Sequence, residues 1–189
     1  MGKQINKLFH TYVGVSQVVD NRRNGEIARQ WLEEEMRENN DLEGLNKLEE
    51  IGDPPYSHKQ YRQFAQIVNS YGGSFDVEMW RLTLISLRAS EYSIRDYIQL
   101  LDGMNRGGGP LHQEEEMIRT NYIEEIPSVD IPVYFFNERN DYNTSLKLVK
   151  EYYEVVDAPE KELVVFEESA HTPFLKERGK FVNQLIRLK

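Results

Sequence analysis

The sequence predicts an α/β fold, a small three-stranded and mainly parallel sheet interrupted by a large helical insertion. Three observations carry this. A β-branched and aromatic run stands close to the N-terminus. The final third alternates between apolar strands and amphipathic helix. The long stretch between them has helical periodicity throughout.

The early run, Thr11-Tyr-Val-Gly-Val-Ser-Gln-Val-Val19, is read as a buried strand. Asn24 is the expected N-cap of the first helix, with Ile27, Trp31, Leu32 and Met36 on its apolar face and Glu33 to Glu35 on its solvent face. Leu42, Leu45, Leu48 and Ile51 continue at a spacing of three to four until Gly52-Asp-Pro-Pro55 breaks the pattern. Further helices are predicted over Lys59–Ser70, Val77–Arg88 and Ser93–Leu101, the first two separated by Tyr71-Gly-Gly-Ser74. Met104 to Pro110, rich in glycine, reads as a loop. Val133-Tyr-Phe-Phe136 is then a short buried strand, Leu146–Val155 an amphipathic helix, and Glu162 to Glu167 the last strand. A terminal helix is expected near Lys180–Leu188. Strand, loop, helix, strand, loop, helix is the order that right-handed crossovers impose on a parallel sheet.

Composition narrows the function. The 189 residues include 39% hydrophobic and 11% aromatic side chains, enough to bury a core. Net charge is −9, from 23 basic and 32 acidic residues, which argues against nucleic-acid partners that need a basic surface. With no cysteine, disulfides and thiolate metal sites are excluded, and a reducing cytoplasm is the expected compartment. No apolar stretch approaches the roughly 18 residues of a membrane span, so no membrane partner is expected. His10, His58 and His112 show no metal-ligand spacing, and no cofactor motif is present. Gly107-Gly-Gly-Pro110 lacks the lysine and the strand–helix context of a phosphate loop.

Two residues stand out because of where they sit. Asp141 lies in the loop after the strand Val133–Phe136, and His171 lies in the equivalent loop after Leu163–Phe166. Functional groups of parallel sheets collect in such loops at the carboxyl ends of strands. A single Asp or His in a loop is more often a surface residue than a catalyst. An acid after one strand and a histidine after the next is different, because a buried carboxylate can orient an imidazole and stabilise its protonated form.

Pro132-Val-Tyr-Phe-Phe-Asn-Glu-Arg-Asn-Asp141-Tyr-Asn-Thr144 and Leu163-Val-Val-Phe-Glu-Glu-Ser-Ala-His171-Thr-Pro-Phe174 resemble the last two strands and catalytic loops of the α/β-hydrolase superfamily. The nearest likeness is to its capped, proline-iminopeptidase-like branch. Tyr12-Val-Gly-Val-Ser-Gln17 resembles the strand that follows the nucleophile helix there. The resemblance implies a partial α/β-hydrolase core over 1–22 and 126–189, with a helical cap over 23–125. It implies Asp141 as the triad acid and His171 as the general base. The chain departs from the family at Glu138, where glycine is usual, and at Ser145, where proline is usual.

The family's nucleophile stands in a Gly-x-Ser-x-Gly elbow, and no such motif occurs in this sequence. Gly14-Val-Ser16 falls within the first strand instead. The expectation is therefore a truncated hydrolase that retains acid and histidine and is inactive alone. The rival expectation is the C-terminal piece of a split serine hydrolase. In either case the edge Thr11–Val19 would need covering, by a homo-oligomer or by a complementing N-terminal hydrolase fragment. The cap aromatics Tyr56, Tyr61, Phe64, Tyr71, Phe75 and Trp80 are expected to form cap core rather than a substrate box.

Overall fold

The computed structural model describes residues 9–75 and 119–188, together with isolated positions between Arg81 and Gly103. Among the described residues the sheet has three strands in the order β1-β2-β3, all pairs parallel: β1 (Tyr12–Val15), β2 (Val133–Glu138) and β3 (Lys161–Phe166). Tyr12 pairs with Val133, and Val133 with Lys161. Every residue of β2 is buried, as expected of a strand with neighbours on both edges.

Between β1 and β2 run α1 (Asn21–Glu38), α2 (Leu42–Ile51), α3 (His58–Ser70) and the short α4 (Tyr122–Glu125). The predicted helices over 77–88 and 93–101 and the glycine-rich loop lie largely or wholly outside the described residues. After β2 come α5 (Leu146–Val155), β3, α6 (Pro173–Lys176) and α7 (Arg178–Arg187). Among the described residues, no helix is long and apolar enough to cross a membrane.

Three apolar clusters hold these elements. Val133 and Phe135 on one face of β2 pack with Leu148, Val149 and Tyr152 of α5. Tyr134 and Phe136 on the other face pack with Val164 and Phe166, against Phe181 of α7. Period-two alternation thus divides β2 between two layers. Ala28, Leu32 and Met36 of α1, Leu48 and Ile51 of α2, and Phe64 and Val68 of α3 form the third cluster. These helices begin on side-chain caps: Asp20 accepts from the Arg23 N–H, Asp41 from the Gly44 N–H, and Ser57 forms a capping box with Gln60.

Two expectations need correction. The first strand spans Tyr12–Val15 rather than Thr11–Val19, because Ser16 adopts a left-handed φ of 49° that ends the pairing. Val19 turns into the core beside α5. The cap of α1 is Asp20, not Asn24. Asn24 lies one turn into the helix and spends its amide on the loop that carries Asp141.

Candidate active site

That loop starts where β2 ends. Asp141 is 2% exposed, and each oxygen of its carboxylate accepts two hydrogen bonds. Oδ1 takes the backbone N–H of Asn143 at 2.8 Å and of Thr144 at 3.1 Å, a local turn stabilised by the aspartate itself. Oδ2 takes the Thr144 hydroxyl and, at 2.8 Å, His171 Nδ1. Each of these four partners meets a carboxylate that can only accept. Nδ1 of His171 therefore carries hydrogen, and Nε2 is the basic nitrogen of the ring.

Asn24 clamps this loop from α1. Its Nδ2 donates to the carbonyls of Tyr142 (3.2 Å) and Asn143 (2.7 Å), and its Oδ1 accepts the Ser145 N–H at 2.7 Å. This gives a physical account of Ser145, since a proline there would have no N–H to donate. Glu138 has an ordinary strand backbone with no positive φ, so the strand end makes no demand for glycine.

His171 is held from the other side. Glu177 accepts hydrogen bonds from the N–H groups of Glu168 and Ser169 and from the Ser169 hydroxyl, which closes the loop after β3. The ring of Phe75 meets the imidazole edge-on, with centroids 5.7 Å apart. The His171 side chain is 29% exposed, against 0% for that of Asp141.

One short segment touches both loops. The carbonyl of Gly73 accepts the Tyr142 N–H at 2.9 Å, and the carbonyl of Ser74 accepts the His171 N–H at 2.8 Å. The Ser74 hydroxyl also accepts from Asn143 Nδ2 at 2.6 Å. A Cβ on Gly73 would stand 2.5 Å from the Trp31 ring, and Trp31 in turn stacks on Tyr142 at 3.9 Å. Read from sequence, Tyr71-Gly-Gly-Ser74 is only a helix break; the second glycine was the available signal of close packing.

A cavity of about 360 Å³ opens beside this pair. His171 lines it with Tyr56, Tyr61, Phe64, Tyr142 and Arg22. Phe64 belongs to the helical core, with Tyr56 and Tyr71 packed against it, as expected, and Phe64 and Tyr56 also form part of the cavity wall. Trp80 lies outside the described residues. Burial, and then the charge of Asp141, hold the Tyr61 hydroxyl above its ordinary pKa.

Among solved structures, the architecture matches a proline iminopeptidase from Mycobacterium smegmatis, with a TM-score of 0.55, 13% identity, and coverage of 94% of this chain and 56% of that one. VinJ matches equally in shape, at a TM-score of 0.55 and 11% identity over 95% of this chain and 56% of that chain. This chain carries part of the α/β-hydrolase fold.

Within curated proteins, this partial hydrolase fold is 31% identical over 188 residues to the probable aminopeptidase YbaC of Bacillus subtilis (strain 168). The alignment takes in 95% of this chain and 57% of that protein, so the chain spans little more than half of its relative's length. No protein-family model matches the sequence.

Proposed function

We propose that this chain contributes the acid and the general base of a serine-hydrolase active site beneath a helical cap, residues 23–125, and is inactive alone. The observation that carries the reading is the 2.8 Å hydrogen bond between His171 Nδ1 and a fully satisfied, buried Asp141. In the triad logic, such a pair takes the nucleophile's proton through Nε2 and returns it to the leaving group. The sequence holds no Gly-x-Ser-x-Gly elbow, and acid, base and nucleophile act as a unit. The purified chain should therefore give no turnover of p-nitrophenyl acetate or amino-acid naphthylamides above background. Clear activity that His171→Ala abolishes would overturn the inactive reading.

A second reading is favoured by the intact pair and the cavity at His171: the chain is one piece of a split, aminopeptidase- or esterase-like hydrolase. Among the described residues β1 pairs only with β2, so its outer edge can receive a strand. A fragment bearing the elbow would dock there, and a second copy of this chain is the competing occupant. Co-expression with the N-terminal half of a capped α/β-hydrolase should yield a co-purifying, active pair. A homodimer that excludes the fragment would defeat the split reading.

A further inference from the structure

Glu138 is the last residue of β2, three positions before Asp141, and its side chain is fully buried. Its Oε1 accepts from the Ser16 hydroxyl at 3.1 Å, across to the end of β1. Its Oε2 is buried and meets no donor among the described residues, and its carboxyl lies against that of Asp141, with which it can share a hydrogen bond only when protonated. On β3 it pairs in register with Phe166, an apolar neighbour. Arg139 next to it is exposed and ion-paired with exposed Glu167. The charge that acts on Glu138 is that of Asp141, which is itself bonded to His171.

We infer that Glu138 is a positioning residue that stays neutral at physiological pH and leaves Asp141 the single anion behind His171. This rests on reading Asp141 and His171 as the acid–base pair. A charged Glu138 would place an uncompensated carboxylate in a buried site and a second anion beside the first, and both are costly. Burial first, and then the Asp141 charge, push its pKa up to about 9. The Ser16 hydroxyl acts the other way. Neutrality matters for the chemistry, because a second anion would hold the proton on His171 more firmly and make it harder to pass on.

The test is direct titration of the purified chain carrying ¹³C-labelled glutamate, with His171 followed in the same samples. The Glu138 carboxyl signal, assigned by its loss in Glu138→Gln, should step near pH 9; a step in the ordinary carboxylate range would overturn the inference. Glu138→Gln should leave the His171 midpoint within about 0.3 unit, whereas a fall of about one unit would mean that an anion had been removed. Ser16→Ala should raise the Glu138 step further, and a downward move would count against the inference. Asp141→Asn should lower both the Glu138 step and the His171 midpoint. An unmoved Glu138 step would break its link to Asp141. An unmoved His171 midpoint would remove the acid–base pair while leaving the Glu138 result standing.

Discussion

The two loops at the carboxyl end of the sheet are built to different standards. The loop after β2 buries its acid completely, satisfies it with four donors, and is pinned by Asn24 from α1 and by Gly73 and Ser74 from the turn after α3. The loop after β3 leaves its histidine partly exposed and ties its own backbone to Glu177 and Ser74. On the roles proposed for Asp141 and His171, the difference fits a division of labour. An orienting carboxylate works by staying still, whereas a proton carrier needs access to the group it serves.

Substitutions on the two sides should therefore differ in cost. Asp141→Ala strands two backbone N–H groups, the Thr144 hydroxyl and His171 Nδ1, and should destabilise the fold by about 3–5 kcal/mol in urea denaturation. A cost below about 1 kcal/mol would show that the acid loop does not depend on its carboxylate. Glu138→Gln should stabilise at pH 7 by up to about 3 kcal/mol, because the folded state holds a proton there that the unfolded chain releases. This native penalty grows as pH rises above 4.5, the ordinary carboxylate value, and levels off near 9. The gain should accordingly vanish in melts at or below pH 4.5. Gly73→Ala pushes a methyl into the Trp31 ring and should cost about 1–3 kcal/mol, with a changed near-ultraviolet signal from the Trp31–Tyr142 stack. His171→Ala should be mildest, within about 1 kcal/mol by thermal melting, because its side chain is partly exposed and the Ser74 bond uses only backbone. Equal costs for Asp141→Ala and His171→Ala would erase the contrast between the loops.

What the sequence made legible followed from local pattern. The apolar runs over 133–136 and 162–167 and the amphipathic spacing over 146–155 lie within a residue or two of β2, β3 and α5. Asp141 and His171 could be placed together because consecutive parallel strands bring their following loops to one end. The features without a local signature depend on partners far along the chain. Asn24 looks like a cap in isolation, yet its amide is committed to residues about 120 positions away. Ser74 reaches Asn143 across 69 positions. Ser16 gave no local sign of its left-handed turn, since serine is not among the residues that favour that conformation.

The hydrogen bonds from Tyr142 and His171 to two successive carbonyls have a mechanical consequence. Neighbouring residues sit about 3.8 Å apart along the chain, a length fixed by covalent bonds. Gly73 and Ser74 are thus a two-residue tie between the acid loop and the histidine loop, hinged only at Ser74. A displacement of this turn would therefore reach both loops at once. The same two residues that tie the loops together thus also bear on the alignment of the pair.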